Sequence, residues 1–199
     1  NGRRYGQSYV GTFSEGNLKV ATTGNATNVF GTMAINQIAS QGGVYFEVRM
    51  CKNVLFVCIH NSARSQMAEA FLNKLGDGKF TAESAGIEPG TLNPIVAEAM
   101  LEMGLDISNN TCDSVEHFIP RSEEFDYVIT VCDETSAERC PTFPGATTRL
   151  HWGFSDPSGL QGTKEEKLNR TREIRDLIKA KIDQWIPSVK GGFANSTTR

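Results

Sequence analysis

Four apolar residues in a row, Val54-Leu55-Phe56-Val57, stand out from the mixed chain around them. A run of that length with no polar alternation suits a strand buried on both faces of a parallel sheet. A short loop follows, Cys58 to Arg64, and then a helical period. From Gln66 to Leu75, Met67, Ala70, Phe71 and Leu75 share one stripe, Glu69 and Lys74 lie off it, and Gly76 supplies a stop. The pattern then repeats. Lys79–Gly86 is a second strand running into a turn, and Pro89-Gly90 with Asn93-Pro94 opens a helix over Ile95–Met103. That helix carries Val96, Ala99, Met100 and Met103 on one face and ends at Gly104. Phe125–Val131 is a third strand and Arg149–Trp152 a fourth. The last helix, Lys164–Trp185, turns Leu168, Ile174, Leu177, Ile178, Ile182 and Trp185 inward. Strands alternating with helices predict an α/β fold with a doubly wound, four-stranded parallel sheet. Ligands of such sheets bind beyond the carboxyl ends of the strands. Cys58 and Cys132 each follow a strand, so they are expected to be neighbours in space.

The flanks follow another pattern. Residues 1–50 are rich in Gly, Thr, Asn and Ser and carry no helical stripe. Their short apolar pieces, Leu18-Lys19-Val20, Val29-Phe30 and Val44–Val48, are separated by turn residues such as Thr23-Gly24-Asn25 and Gln41-Gly42-Gly43. Two to four β-strands are expected there. Gly43–Val48 resembles an early strand of lectin-like or SPRY-type sandwiches, but a whole sandwich takes about a hundred residues, and no function follows. The expected organisation is a β-rich extension over 1–50, an α/β domain over 51–187, and a segment 188–199 of composition like the first. That last segment is read either as a flexible tail or as the second flank of a β-rich part into which the α/β domain is inserted.

Composition narrows the picture by exclusion. The 199 residues carry 20 basic and 23 acidic side chains, a net charge of -3, which gives no reason to expect a nucleic-acid partner. No apolar stretch approaches the ~18 residues of a membrane span. The first residues, Asn1-Gly2-Arg3-Arg4, have neither an initiator Met nor a signal-like apolar core. Five cysteines, Cys51, Cys58, Cys112, Cys132 and Cys140, are an odd number without small-scaffold spacing. In an α/β pattern they point to reduced thiols and a cytoplasmic protein. No Cys/His arrangement has zinc spacing.

The chemistry concentrates where the first strand meets the first helix. Loop N–H groups and the helix dipole converge at such a point on whatever lies over the loop, and they favour an anion. Arg64 adds a positive fork for tetrahedral oxygens, and a field of that sign favours the thiolate form of Cys58. Cys-x5-Arg is a weak signal by itself. The buried strand before it, Ser65 after it and the amphipathic helix behind give it weight.

Four separated motifs carry a resemblance. They are Val57-Cys58-Ile59-His60-Asn61-Ser62-Ala63-Arg64-Ser65-Gln66-Met67-Ala68-Glu69, then Glu83-Ser84-Ala85-Gly86, then Val131-Cys132-Asp133 with Cys140-Pro141, then His151-Trp152-Gly153-Phe154-Ser155-Asp156-Pro157. Residues 52–186 closely resemble the arsenate reductases of low-molecular-weight phosphotyrosine-phosphatase type, in particular the thioredoxin-coupled branch. The resemblance implies that Cys58 attacks arsenate, a phosphate-like oxyanion for which phosphate or sulfate would compete, while Arg64 holds its oxygens. It places the general acid at Asp156, which can also serve as a turn or cap residue before Pro157. Asn61 and Ser65 are implied to shape the loop, the second through a hydrogen bond to the Cys58 sulfur. His60, Asn61, Ser62, Ala63 and Ser65 together are implied to be the oxyanion-binding and loop-shaping set, within which Ser62 also suits packing or capping and His60 is read as a loop filler. Cys132 would displace arsenite by forming a Cys58–Cys132 disulfide, and Cys140 would take over as a Cys132–Cys140 disulfide reduced by thioredoxin. Bridging those two requires Cα atoms within about 7 Å, so residues 133–139 are expected to loop out on oxidation. Cys51 and Cys112 match no redox position. No tightly bound cofactor is expected. Asn61, Glu69 and Ser84 resemble residues that hold a potassium ion near the loop in some relatives.

Three other readings compete. A low-molecular-weight protein tyrosine phosphatase would need no redox turnover, but Cys132 with Cys140, Ser65-Gln66-Met67 after the loop Arg, and the absence of a Tyr-Tyr pair after Asp156-Pro157 weigh against it. A binding protein acting through the β-rich flank would leave the intact Cys58, Arg64 and Asp156 unexplained. The same reduction with glutathione or glutaredoxin as donor would not need a complete three-cysteine relay.

Overall fold

A computed structural model describes residues 8–14, 17–21, 34–40, 43–49, 51–133 and 148–190. The chain divides into two compact units, one holding the strands before Cys51 and the other spanning Lys52–Trp185. The first contains β1 (Ser8–Ser14), β2 (Asn17–Ala21), β3 (Ala34–Ser40) and β4 (Gly43–Arg49), paired antiparallel in the order β2-β1-β4-β3. Val29-Phe30, Thr23-Gly24-Asn25 and residues 191–199 lie outside the described residues.

The second unit contains β5 (Lys52–Cys58), α1 (Arg64–Leu75), β6 (Phe80–Gly86), α2 (Pro94–Leu101), β7 (Tyr127–Thr130), β8 (Thr148–His151) and α3 (Lys164–Lys190) as far as Trp185. Its four strands are all parallel, in the order β6-β5-β7-β8. This is the doubly wound four-stranded α/β sheet expected from the apolar runs. β5 lies inside the sheet and is buried from Val54 to Cys58, which explains its unbroken apolar run. Alternate residues serve opposite faces. Leu55 and Val57 join Ala85, Val128, Phe125 and the short 3-10 turns at Val115–His117 and Ile119–Glu124. Phe56 faces the other way, against Trp152, which packs with Trp185 of α3; Phe80, tilted, and Tyr127, edge-on, also pack against Trp185.

The helical stripes differ in detail from the periodicity. In α1, Leu72 is buried with Met67, Ala68 and Phe71, while Ala70 and Leu75 are only half-buried. Met103 is not on an inward face: α2 stops at Leu101, the chain turns at Gly104 with φ of 70°, and Met103 is 42% exposed. Leu177 is 61% exposed, because the buried stripe of α3 runs through Leu168, Thr171, Ile174, Arg175, Ile178 and Ile182. Leu177 is rotated by about 100° from Ile178 and faces solvent. Arg175 fills the stripe instead and donates to the Ala99 carbonyl of α2 at 2.7 Å. The last helix also runs past Pro187, so residues 188–190 continue α3. Proline costs the helix one backbone donor there.

Candidate active site

Cys58 ends β5 and Arg64 begins α1, so the loop between them is anchored at both ends by regular structure. Its peptide planes are oriented from outside. The carbonyls of Cys58, Ile59, His60 and Ser62 accept from the N–H groups of Ile87, Glu88, Gly90 and Asn93 at 3.1, 2.8, 2.9 and 2.9 Å. The Ala63 carbonyl accepts from Met67 N–H at 2.9 Å, and the Asn61 carbonyl accepts from the Cys112 thiol at 3.2 Å. Every carbonyl from Cys58 to Ala63 is thereby turned outward. In a trans peptide the next residue's N–H points opposite to the carbonyl, so the loop turns its N–H groups inward. One of them, Asn61 N–H, donates to the Cys58 sulfur at 3.2 Å. Ala63, the N-cap of α1, makes no side-chain cap, so the helix N-terminus adds its field to the same place.

Two backbone features make the loop fit. Asn61 adopts φ of 52°, a left-handed conformation that Asn tolerates. At Gly86 a Cβ would lie 2.8 Å from both Asn61 N and His60 C, so glycine is required where the loop rests on the end of β6.

Cys58 is buried, at 2% exposure, and its sulfur also lies 3.0 Å from the Ser65 hydroxyl. Asn61 is fully buried with every polar atom engaged. Its Nδ2 donates to Ser65 Oγ at 2.9 Å and Ser84 Oγ at 2.8 Å, and its Oδ1 accepts from Asp113 N–H at 2.8 Å and Gln66 Nε2 at 3.2 Å. Ser62 and Ala63 are buried in the loop wall. His60 is exposed, and its Nδ1 lies 3.0 Å from the Glu88 carbonyl, a bracing contact.

Arg64 is 2% exposed and is held from the far side of the sheet end. Its Nη1 donates to the Phe154 carbonyl at 3.0 Å, its Nη2 donates to Asp156 Oδ2 at 2.9 Å, and Asp133 Oδ2 lies 3.6 Å from Nη1. Its Nε is buried without a hydrogen-bond partner among the described residues. A buried donor left that way costs about 1–3 kcal/mol, which an anion's acceptor oxygen would offset. Asp156 uses its two oxygens separately: Oδ1 accepts from Ser158 N–H at 2.9 Å and caps the turn at Pro157–Gly159, while Oδ2 reaches Arg64. Asp156 therefore caps the turn and touches Arg64 at the same time.

Cys132 lies just beyond β7, at 1% exposure. Burial pushes its thiol pKa up; the Arg64 charge opposes this, and the Cys58 sulfur adds to it. Cys140 and residues 134–139 lie outside the described residues. Glu69 accepts from Ser84 Oγ at 2.6 Å, so Glu69, Ser84 and Asn61 do meet in one cluster. In this arrangement Asn61 turns its Nδ2 to Ser84 and its oxygen to Asp113 and Gln66.

Three contributors escaped the sequence pattern. Gln66 belongs to the motif after Arg64, but the sequence assigns it no role; it is 2% exposed and ties Asn61 to the Asn110–Asp113 segment. Cys112 matches no redox position yet orients the Asn61 peptide. Burial raises its pKa, with the Cys58 sulfur and Asp113 adding to the effect. Asp133, beside Cys132, joins Asp156 around Arg64.

The model of the low molecular weight phosphotyrosine protein phosphatase family matches residues 53–194. The chain belongs to that family. Within it, the chain is 40% identical over 139 residues to an arsenate reductase of Bacillus subtilis, covering 70% of this chain and 98% of that protein. It is 43% identical over 135 residues to an arsenate reductase of Bacillus licheniformis, covering 67% and 94%. A solved arsenate reductase in its oxidized state superposes with a TM-score of 0.59 at 32% identity, over 69% of this chain and 98% of that one. The family match begins after the four strands of the first unit. No helix among the described residues is long and apolar enough to cross a membrane.

Proposed function

We propose that this chain is an oxidoreductase that reduces arsenate to arsenite, with Cys58 as nucleophile. The observation that carries the proposal is the loop itself. Outward carbonyls from Cys58 to Ala63 leave inward N–H groups around a buried sulfur, beside a buried guanidinium held by Asp156. The arsenate reductase relatives spanning nearly their whole length support arsenate, over phosphate or sulfate, as the oxyanion that is turned over.

Arsenate oxygens take the N–H groups and Arg64. The Cys58 thiolate forms an S–As bond as one As–O bond breaks, and the departing oxygen takes a proton from Asp156 in its acid form. Cys132, deprotonated, then attacks the Cys58 sulfur. An S–S bond forms, the S–As electron pair goes to arsenic, and As(V) leaves as As(III) while two cysteine sulfurs are oxidised. Cys140 attacks Cys132 to free Cys58, and thioredoxin reduces the Cys132–Cys140 bridge. This relay needs a thiol-reducing compartment and fits a cytoplasmic protein.

The test is arsenate-dependent NADPH oxidation with thioredoxin and thioredoxin reductase, comparing wild type with Cys58→Ser, Cys132→Ser and Cys140→Ser. All three variants should lose turnover, while a single turnover of arsenite release should survive only in Cys140→Ser. Brisk hydrolysis of an aryl phosphate by a wild type that does not reduce arsenate, indifferent to Cys132→Ser, would replace this reading by a phosphatase.

A further inference from the structure

Two backbone groups beside the loop cannot exchange their roles as donor and acceptor. Asp113 N–H only donates, so the atom 2.8 Å away must be the Asn61 oxygen. The Thr111 carbonyl only accepts, so the atom 2.8 Å from it must be the Gln66 nitrogen. Both carboxamide orientations follow. Gln66 Nε2 gives its second hydrogen to Asn61 Oδ1 at 3.2 Å, and Gln66 Oε1 accepts from Asn110 Nδ2 at 2.8 Å. Asn61 is left with both Nδ2 hydrogens facing hydroxyls, Ser65 at 2.9 Å and Ser84 at 2.8 Å. Ser84 in turn donates its own hydrogen bond to Glu69 at 2.6 Å. Ser65 accepts from Asn61 and has its proton free for the Cys58 sulfur at 3.0 Å.

We propose that Gln66 is a positioning residue for Cys58: it couples the Asn110–Asp113 segment to Asn61 and, together with Asp113 N–H, holds the direction of the hydrogen bonds that ends with the Ser65 hydroxyl donating to sulfur. Gln66 touches no reacting atom. Its action passes through Asn61 and Ser65, and a hydrogen bond donated to a thiolate is of the strong, charge-assisted kind. The segment from Asn110 to Asp113 is thus part of the nucleophile's environment although it lies on a different stretch of chain, joined to β6 by Gly86 N–H donating to the Asp113 carbonyl at 2.8 Å.

The proposal rests on Cys58 as the nucleophile, and it is tested apart from arsenate turnover. The full chain, as Gln66→Leu, Gln66→Glu and Asn110→Ala, is labelled with iodoacetamide at pH 7, and the label on the Cys58 peptide is followed by mass spectrometry with and without inorganic phosphate. Gln66→Glu is close to isosteric but has no hydrogen for Thr111 or Asn61. Labelling of Cys58 should slow about tenfold in both Gln66 variants while phosphate protects at a concentration within about threefold of wild type. Asn110→Ala removes only the partner of Gln66 Oε1 and should slow labelling about two- to threefold; it carries the test where a Gln66 variant does not fold. Cys58 labelling within twofold of wild type overturns the proposal. Slower labelling that comes with lost phosphate protection overturns it as well, since the loop has then simply collapsed. Arsenate kcat falling with KM unchanged is the matching result in turnover, and failure of turnover in wild type would leave the labelling result readable.

Discussion

Alanine at Gly86 adds one methyl group to the end of β6, and its effect can be worked from distances. The new Cβ would stand 2.8 Å from Asn61 N and His60 C and 3.0 Å from Asn61 Cβ. Comfortable carbon contacts begin near 3.5 Å, so the loop or the strand must give way by roughly 0.5–1 Å. The strand resists, since Gly86 pairs with Cys58 in the parallel register and donates to the Asp113 carbonyl. The loop atoms in the way are mostly backbone, so no rotamer change relieves the clash. Moving the Asn61 peptide shifts its N–H from the Cys58 sulfur and strains the Cys112 contact on its other side. Overpacking of this kind costs about 1–3 kcal/mol of stability. A displacement near 1 Å in a reacting constellation costs about a hundredfold in rate. Gly86→Ala should therefore lose about a hundredfold in kcat/KM for arsenate in the thioredoxin-coupled assay, with weaker phosphate protection of Cys58 and a melting temperature lower by several degrees. A variant with kcat/KM within threefold of wild type and an unchanged melting curve would refute the reasoning. It would mean that the loop does not rest on Gly86 and that its N–H groups are aligned by something else.

Cys112→Ala should slow turnover several-fold without touching the relay, because the Asn61 carbonyl loses a hydrogen bond worth about 1 kcal/mol; Cys112→Ser, which keeps a donor, should recover most of the rate, and equal rates in both would remove Cys112 from the account. At the far end of α2, the Arg172 guanidinium holds the Glu102 carboxyl down at about 2, with Arg175 assisting. A depressed carboxyl pKa contributes stability above the unfolded-state value and loses it as pH falls toward the folded one. The melting-temperature gap between wild type and Glu102→Gln should be widest above pH 5 and close as pH falls toward 2; a gap that does not vary with pH would show that the ion pair contributes nothing.

By itself the sequence determined the architecture of the second unit and the location of its chemistry. An apolar run, a polar loop and a helical stripe are local patterns, and each is written in consecutive residues. The burial of Val54–Cys58 and the strand–loop–helix junction at Cys58–Arg64 follow from them. Local patterns fail where a neighbour sets the environment. Leu177 has the composition of a core residue, but the inward stripe of α3 takes Arg175 because α2 offers the Ala99 carbonyl and Glu102 to it. Met103 falls out of period because α2 ends at Leu101. Only the tertiary structure decided how the loop is polarised. Its carbonyls turn outward because residues 87–93 and Cys112 lie where they can donate to them, and its amides are oriented because Thr111 and Asp113 pass behind Asn61 and Gln66. Those partners come from segments far along the chain. Hydrogen-bond direction depends on which donor faces which acceptor, and that is settled only when the sheet brings the segments together.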